Sequence, residues 1–403
     1  MNARTRTTLI ATALVLGIAA GPATAASPAA AQAPAASHRD TGSLDTAALK
    51  AAIADAGRPG ADATAALVRV GGTEGTWRGS TGVHDIETNR PADPGARFRA
   101  GSVTKVFTAA VVLQLAGEGR VDLNRPVRGY LPDLIPAAYD KVTVRQLLNH
   151  TSGIPSVGSG GDGLDYWYAH RLESRDAADV VREATAQKPD FAPGTKQHYD
   201  NIGYTVAGLL IERVTGESFA QQLSRRILRP LHLADTSVTG AATTIRGRHN
   251  HGYQVFTAPD GSSQLRDVSV WGEGDTFAAG DLISTTADLE RFTRALFTGH
   301  VVRGPLLKEM FTLPDASVRD MKTGKRASYS AGLTTLRMGG RDVWGKTGGR
   351  WGYTTLIGGA VSPTGELTRT LVYSVNSTDA KGTDMNRTAQ RLMIAAFGTP
   401  DAS

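Results

Sequence analysis

The chain has 403 residues, of which 40% are hydrophobic and 20% charged. This balance excludes a wholly disordered protein and allows one large domain or two lobes around a shared core. The absence of cysteine excludes disulfide bonds, thiolate metal sites and a lipid anchor on a lipobox cysteine. The net charge of +6 is not gathered in a run of lysines and arginines, so we expect no nucleic-acid partner.

Residues 1–25 have the pattern of a secretory signal peptide. Arg4 and Arg6 give a positive start, an apolar run follows, and Ala-Thr-Ala ending at Ala25 suits signal peptidase. The run is too short for a spanning helix with stop-transfer flanks. We therefore expect cleavage near Ala25, secretion, and no membrane association of the mature chain. Residues 26–42 are rich in alanine and proline and predict a linker.

The folded part is predicted to cover residues 43–400. "SLDTAALKAAIADAG" predicts a first helix with a Ser/Asp cap, and "ATAALVRVGG" and "GTWRGSTGV" predict two strands joined by a glycine turn. From about residue 102 to residue 311 helices dominate. "VFTAAVVLQLAGEG" is apolar nearly all round and predicts a buried central helix, whereas "NIGYTVAGLLIERVTG" and "TTADLERFTRALFTG" predict amphipathic helices.

The C-terminal part changes to strand periodicity. "YSAGLTTLRM", "RDVWGK", "YTTLIGGAV" and "TRTLVYSVN" predict strands with turns at "GG", "GGRWG" and "SPTGE", and "MNRTAQRLMIAAFG" predicts a last helix. This order favours an α+β domain. Its antiparallel sheet is built from both chain ends (43–101 and 326–400) and flanked by helices, with an inserted, mostly helical lobe at about 102–325. The site is expected in the cleft between the lobes.

A serine stands at the start of the predicted buried helix, in "RAGSVTKVFTAAV". At Ser102, free backbone N–H groups and the positive helix end favour developing negative charge. Lys105 projects from the same face, and burial favours its neutral form, which can act as a base. The alternative is a serine that caps the helix beside a lysine that reaches solvent.

A tyrosine and an asparagine precede another predicted helix, in "HYDNIGY". In the functional interpretation Tyr199 aids proton transfer and Asn201 hydrogen-bonds a substrate amide. In the alternative, Asn201 caps the helix and Tyr199 packs against it.

The tripeptide Lys-Thr-Gly occurs twice. In "VWGKTGGRWGYTT", Lys346 and Thr347 end a predicted strand whose glycines leave its edge open to a substrate backbone. In "RDMKTGKRAS", Lys322 stands among other charges without a strand pattern, which predicts a solvated turn. We therefore assign chemistry to the second copy only.

Together, Ser-x-x-Lys, Tyr-x-Asn and Lys-Thr-Gly in this order resemble the penicillin-recognising serine hydrolases. The chain is most similar to class C β-lactamases, exported D-alanyl-D-alanine carboxypeptidases and their esterase relatives. "VRQLLNHTSGIP", "FAPGTKQHYDNIGY" and "AAGDLISTTADLERF" resemble the same group, so the likeness runs from about Ala65 to Gly398. It implies a β-lactamase/transpeptidase-like fold and an acyl-enzyme mechanism that needs no metal or other cofactor.

The resemblance implies roles for the catalytic residues. Ser102 would be the nucleophile that forms the acyl-enzyme. Lys105 and Tyr199 would share the base and acid roles, in an order that stays open. The backbone N–H groups of Ser102 and Gly349 would form the oxyanion hole.

It also implies roles in substrate binding. Asn201 would orient the substrate amide, Lys346 would supply positive charge near the substrate carboxylate, and Thr347 would hydrogen-bond that carboxylate. After the motif, Arg350 would be a further anchor for the substrate carboxylate and Trp351 would form a wall of the site. In the equally weighted alternative, both residues only belong to the hairpin and take no part in binding.

The substrate ranking follows from the same resemblance. A D-alanyl-D-alanine carboxypeptidase acting on peptidoglycan peptides comes first, then a class C-like β-lactamase, then an esterase or D-amino-acid peptidase of the same fold. The lysine at position 346 slightly favours the β-lactamase pattern, because many similar carboxypeptidases have histidine there. The expected partners are a stem peptide or a β-lactam, and we expect a monomer.

Two further classes are disfavoured. A non-catalytic wall-binding protein would have no need of intact Ser102, Lys105, Tyr199 and Lys346, and an α/β-hydrolase would need a Gly-x-Ser-x-Gly motif that the chain lacks. For His150, in "NHTSG", we expect a structural role.

Overall fold

The computed structural model describes residues 43–157, 163–258, 260–272, 274, 276–382 and 384–401. The predicted signal peptide and linker lie outside the described residues. The first described element begins close to the predicted start of the folded part.

The helices and strands follow one another in the chain order that the labels give. The α-helices are α1 (Thr46–Ile53), α2 (Thr104–Gly117), α3 (Val144–Leu148), α4 (Leu164–Ala169), α5 (Ala177–Thr185), α6 (Ile202–Thr215), α7 (Phe219–Leu223), α8 (Thr286–Phe297), α9 (Gly304–Glu309) and α10 (Arg387–Phe397). The strands are β1 (Ala63–Gly71), β2 (Trp77–Gly82), β3 (Phe98–Arg99), β4 (Lys196–Gln197), β5 (Ser237–Val238), β6 (Tyr253–Thr257), β7 (Ser263–Asp267), β8 (Leu282–Ser284), β9 (Arg319–Asp320), β10 (Thr334–Met338), β11 (Arg341–Arg350), β12 (Tyr353–Val361) and β13 (Leu367–Ser377).

Both chain ends contribute to one antiparallel sheet, as the sequence predicts. Its strand order is β10-β11-β12-β13-β1-β2, so the first hairpin of the chain is added to the last strand. In that junction Ala66 lies opposite Val375 and Val70 lies opposite Leu371. The side chains of β1 and β13 are buried along almost their whole length, because helices cover both faces of the sheet.

The two faces of the sheet carry different helices. α1 and α10 cover one face, where Leu49 of α1 and Leu392 of α10 are fully buried with Leu371 and Tyr373 of β13. Asp45 caps α1, as predicted, by accepting the N–H of Ala48 at 2.8 Å. α8 contacts β1, β12 and β13 on the other face and joins the sheet to the helical part of the chain.

α2 is the central helix of the larger core. Its side chains are buried on all sides from its first residue to Leu113, as the continuous apolar run predicts. Phe107 stacks on Phe292 of α8 with ring centroids 3.7 Å apart. The start of this helix is therefore held rigidly against both the sheet and the other helices.

The structure adds strands that the sequence analysis did not predict. The middle of the chain is mostly helical, as predicted, but β6 and β7 form a hairpin there and β3, β8 and β5 form a small sheet. Asp260-Gly261 marks the turn of that hairpin and is the sequence signal that could have found it. The turn predicted at "GGRWG" is also shorter, since β11 continues through both glycines to Arg350 and only Trp351-Gly352 turn.

Among the described residues, no helix has both the length and the apolar composition needed to span a membrane.

Candidate active site

One cleft lies where the start of α2, the loop before α6 and strand β11 meet, and the three sequence motifs come together there. It encloses about 610 Å³, open solvent at its mouth included. Its described lining consists of Ser102, Tyr199, Asn201, Thr276, Gly280, Lys346, Thr347, Gly348, Gly349, Arg350, Thr354, Ala380 and Lys381. A second hollow of about 590 Å³, lined by Leu113, Arg145 and Glu309 among others, contains none of the motifs and is not assigned to the chemistry.

Ser102 lies in the 3₁₀ turn Gly101–Val103, directly before α2. Gly101 has a φ of 52°, and a Cβ at this residue would lie 2.8 Å from the Gly349 nitrogen, so only glycine fits. The Thr104 hydroxyl donates to the Gly101 carbonyl at 2.7 Å and fixes the turn. Because the N-cap of α2 is Val103, the alternative in which Ser102 caps the helix is wrong.

Lys105 is fully buried and turned toward the serine. Its Nζ donates to Asn201 Oδ1 at 2.7 Å and to the Ala279 carbonyl at 2.9 Å, and it lies 3.4 Å from Ser102 Oγ. These two acceptors hold the amine beside the serine hydroxyl. In its neutral form Lys105 would direct its lone pair to the proton that a nucleophilic serine must lose. The alternative of a lysine that reaches solvent is wrong.

Asn201 occupies the N-cap position of α6, yet its side chain makes no capping bond. Its Oδ1 accepts from Lys105 instead, whereas the Asp200 carboxylate accepts the N–H of Gly203 at 3.0 Å. The simple capping role proposed as the alternative for Asn201 is therefore wrong. The amide nitrogen of Asn201 has no hydrogen bond among the described residues and is available to a carbonyl group in the cleft.

Tyr199 lies between the two lysines of the site. Its ring centroid is 5.1 Å from Lys105 Nζ and 4.7 Å from Lys346 Nζ. The hydroxyl is buried and has no partner at hydrogen-bonding geometry in the described part of the chain. Burial raises the pKa of Tyr199 well above its ordinary value, and the nearby Ser102 hydroxyl opposes this rise only weakly. The phenol therefore keeps its proton at neutral pH.

His150 packs behind Tyr199, with ring centroids 4.5 Å apart, and is almost completely buried. Burial holds the pKa of His150 well below its ordinary value, and the charges of Lys105 and Lys346 act in the same direction. A neutral imidazole in this place supports the tyrosine ring, which fits the expected structural role.

The Lys-Thr-Gly motif lies in β11, where the strand has an open edge. Arg350 pairs with Tyr353 across the two-residue turn, so alternate residues of β11 bond to β12. The N–H and C=O groups of Thr347 and Gly349 consequently point away from β12. On that other side, the pairing of β11 with β10 goes no further than Gly345. Thr347 and Gly349 thus line the cleft beside Ser102 with backbone groups that pair with no strand of the described residues.

Lys346 is a buried cation at this edge, with only 2% of its surface exposed. Its Nζ donates to the Thr347 carbonyl at 2.8 Å. Burial lowers the pKa of Lys346 to about 7, and the charge of Lys381 contributes to the shift. The charged form of Lys346 is therefore poorly solvated, and an anionic group of a ligand would stabilise it.

Gly348 explains how β11 reaches the nucleophile. A Cβ at Gly348 would lie 1.9 Å from the Ala100 carbonyl oxygen and 2.5 Å from Thr355 Oγ1. Thr355 in turn donates to the Ala100 carbonyl at 2.8 Å. The strand therefore packs directly on the segment before Ser102, which places the Gly349 N–H beside the serine.

The two residues after the motif behave differently from each other. Arg350 lines the cleft and donates to the Gly272 carbonyl at 2.7 Å and to Thr276 Oγ1 at 3.3 Å. Trp351 is in the turn, and its ring packs on Trp271 with centroids 5.6 Å apart. It does not line the cleft among the described residues. The binding roles of Arg350 and Trp351 stay predictions.

The first Lys-Thr-Gly is a surface turn after β9, as the sequence predicts. Lys322 and Thr323 are exposed, and Asp320 Oδ1 accepts their N–H groups at 3.1 and 2.7 Å. Nothing in this turn faces the cleft lining.

Sequence reasoning missed several cleft residues, among them Lys381, Thr276 and Thr354. Lys381 follows β13 and lies close enough to Lys346 to affect its pKa. None of these residues belongs to a motif, and only the three-dimensional fold brings them to the site.

Comparisons with known proteins agree with this geometry. A family model described as Beta-lactamase matches residues 46–392. The structure of a D-stereospecific amidohydrolase from Streptomyces sp. is 31% identical, with a TM-score of 0.71, and the match covers 88% of this chain and 98% of that one.

Two curated relatives match shorter segments. Protein flp of Staphylococcus aureus (strain COL) is 29% identical over 53% of this chain and 41% of its own length. Esterase EstB of Burkholderia gladioli is 32% identical over 41% of this chain and 44% of its own length. The chain therefore spans less than half the length of these curated relatives. The family model covers most of the chain, and the fold and the site agree with it: this chain belongs to the beta-lactamase family of serine hydrolases.

Proposed function

We propose that the protein is an exported serine hydrolase that cleaves amide bonds whose carbonyl belongs to a D-amino acid. In its most specific version, the proposal is that the protein is a D-alanyl-D-alanine carboxypeptidase acting on peptidoglycan peptides. One observation carries the proposal: Ser102 and Tyr199 share a cleft with the edge of β11 and the buried Lys346, and Lys105 lies directly behind Ser102.

Acylation begins with attack of Ser102 Oγ on the substrate carbonyl carbon. The hydroxyl proton passes to Nζ of neutral Lys105, which points at Ser102. The oxyanion accepts hydrogen bonds from the backbone N–H groups of Ser102 and Gly349. Because Tyr199 keeps its proton at neutral pH, we give the first proton transfer to Lys105 rather than to Tyr199.

Collapse of the tetrahedral intermediate breaks the carbon–nitrogen bond. The Tyr199 hydroxyl donates a proton to the leaving nitrogen and takes one back from Lys105, which leaves an ester on Ser102. Water then attacks the ester, and the same groups return a proton to Ser102 Oγ as the acid is released. Every proton stays within the three residues, the substrate and the attacking water, which supplies the proton that returns to Ser102 Oγ.

The edge of β11 supports a peptide substrate with a terminal carboxylate. An extended peptide can bond to the N–H and C=O groups of Thr347 and Gly349 as an added strand. Its carboxylate then reaches the Thr347 hydroxyl and Lys346, whose charge has little solvent to stabilise it. A carboxylate is common to D-Ala-D-Ala peptides and β-lactams and is missing from simple esters.

A second candidate is hydrolysis of D-amino-acid amides. The likeness to the Streptomyces D-stereospecific amidohydrolase over 98% of that protein favours it. Both candidates require a D-configured acyl residue. They differ in the leaving group, which carries a carboxylate only in the carboxypeptidase reaction.

The test compares hydrolysis of N-acetyl-D-Ala-D-Ala with that of its C-terminal carboxamide, D-alanine amide, nitrocefin and p-nitrophenyl acetate. We expect the free acid to be preferred over the carboxamide by about 10- to 100-fold in kcat/KM, because a charge-assisted hydrogen bond contributes about 1.5–3 kcal/mol. An acyl residue of L configuration should not be cleaved.

Ser102→Ala is the control for all five substrates and should lower kcat by at least about 10⁴-fold. Equal rates with acid and carboxamide would contradict the carboxypeptidase proposal, and a preference for D-alanine amide would replace it with the second candidate. Rapid turnover of nitrocefin alone would identify a β-lactamase, and consumption of the acetate ester alone an esterase.

A further inference from the structure

The turn between residues 276 and 281 lies directly beneath Lys105 and is not used by the catalytic steps described above. The carbonyl of Ala279 accepts Lys105 Nζ at 2.9 Å, and the carbonyl of Ala278 accepts the Thr108 hydroxyl at 2.6 Å. Both acceptors contact α2 side chains one helical turn apart. The position of the lysine amine therefore depends on the conformation of this turn.

Ala278 has an unusual backbone conformation. Its φ is 55°, in the left-handed region that residues with a Cβ rarely adopt. Such a conformation persists only where surrounding contacts hold it, and it occurs often at functional sites. If Ala278 relaxed to a negative φ, its own carbonyl and that of Ala279 would turn away from α2.

Asp281 makes the contact that holds this residue. Its Oδ2 accepts the N–H of Ala278 at 3.3 Å, and only 4% of the Asp281 surface is exposed. The other carboxylate oxygen is buried without a partner among the described residues. Burying a carboxylate is costly, so its retention here calls for a specific interaction.

The charges around Asp281 keep it able to accept a hydrogen bond. Burial raises the pKa of Asp281 to about 6, and the positive charges of Lys105 and Arg350 oppose that rise, as do backbone N–H groups. At neutral pH the group is mostly ionised. Its Oδ2 then accepts the Ala278 N–H as a carboxylate oxygen.

We propose that Asp281 is a positioning residue, which holds Ala278 in its left-handed conformation so that the Ala279 carbonyl fixes the Lys105 amine against Ser102. Asp281 does not touch the substrate. It acts through the turn and through Lys105, so the inference rests on the catalytic roles proposed for Ser102 and Lys105.

The test uses the full protein and a p-nitrophenyl phosphonate ester, whose nitrophenolate release reports attack by the serine. We expect Asp281→Ala to slow phosphonylation, and to lower kcat for the best substrate, by about 100-fold with little change in KM, because a small displacement of a catalytic group has that effect. Asp281→Asn keeps an oxygen acceptor and should recover most of the rate.

A double variant examines the backbone directly. Glycine adopts a positive φ without strain, so Ala278→Gly in the Asp281→Ala background should recover at least about 10-fold in rate. Asp288→Ala is the matched control. Asp288 is also a buried aspartate that accepts backbone and hydroxyl groups, from Asp235 and Thr236, but it is outside the cleft. The Asp288→Ala variant should have a lower melting temperature but an unchanged kcat.

The outcomes separate the two proposals. Phosphonylation that continues at the wild-type rate in Ser102→Ala would overturn the proposed function. If Ser102 is required and Asp281→Ala reacts at the wild-type rate, only the positioning role fails. It also fails if Asp281→Asn is as slow as Asp281→Ala, since the charge would then matter and not the acceptor, or if Ala278→Gly recovers nothing.

Discussion

Lys346 shows how a single residue can serve binding at the expense of stability. Folding buries its side chain and lowers its pKa from an ordinary 10.5 to about 7. Below about pH 7 the folded protein must hold this poorly solvated charge, which lowers its free energy of unfolding. This loss of stability declines as the pH rises from about 7 toward 10.5. The same poor solvation is the physical basis of the proposed role of Lys346 as an anchor for an anionic substrate group.

We therefore expect Lys346→Met to raise the free energy of unfolding by about 1–2 kcal/mol at pH 7 while lowering kcat/KM for the carboxylate substrate at least about 10-fold. The sign follows from proton counts. Between pH 7 and 10.5 the unfolded chain binds more protons at this residue, so wild-type stability increases with pH and the gain from Lys346→Met shrinks. Denaturation at pH 6, 7.5 and 9 measures the trend.

Lys322→Met is the matched control, because Lys322 belongs to the same tripeptide but is exposed in a turn. It should change neither stability nor turnover. Equal losses of activity in both variants would contradict the assignment of the site to the second copy.

At the scale of elements, the site depends on how closely β11 approaches the turn before α2. That approach needs residues without side chains on both partners, Gly101 on the turn and Gly348 on the strand. The backbone itself therefore forms the contact, and the Gly349 backbone lies beside the turn that carries Ser102 without any side chain between.

Gly348→Ala should abolish measurable turnover, or lower it at least about 100-fold, because the new Cβ would overlap the Ala100 carbonyl and push the strand away from Ser102. Gly358→Ala on the neighbouring strand is the control, since its nearest contact would be an ordinary 3.6 Å. Circular dichroism and phosphonate labelling distinguish a displaced strand from an unfolded protein. Normal turnover in Gly348→Ala would contradict the packing described above.

Sequence patterns predicted the candidate catalytic residues that the structure brings together, because each belongs to a short motif with fixed spacing. Ser102 and Lys105 are one helical turn apart and project from the same side, and Lys346 to Gly349 are consecutive in one strand, so each motif keeps its own residues close together. Asp281 and Lys381 could not be found in this way. Asp281 accepts the N–H of Ala278 and the charge of Lys381 acts on the pKa of Lys346, and both effects depend on how the folded chain packs rather than on local periodicity.

The fold was predictable for a similar reason. The strands at the chain ends and the helices α1, α2, α6, α8 and α10 have strong periodic patterns, and the structure confirms them. The hairpin of β6 and β7 was missed because β7 is mostly exposed and polar, so its sequence "SQLRD" has no apolar alternation. The burial of its residues would have revealed this hairpin, but the sequence does not report burial directly.

At the scale of the whole molecule, residues 1–25 are predicted to be a signal peptide that directs export. Expressed in a bacterial host, the full chain should appear in the medium with a new N-terminus close to Ala26, measured by intact-mass spectrometry. Deleting residues 9–20 should keep the protein inside the cell. Recovery of the chain in the medium with Met1 in place would contradict the predicted signal peptide.

The pairing of β1 with β13 sets the order in which the molecule can fold. Thr64 of β1 bonds to the Asn376 carbonyl of β13, and 312 residues separate them in the chain. Closing a loop of that length costs about 5 kcal/mol of chain entropy, and folds with many such distant contacts form slowly. The sheet that brings Gly349 to Ser102 therefore cannot be completed until almost the entire chain has been synthesised. A partly synthesised chain contains Ser102 but lacks the completed site in which Ser102 would react.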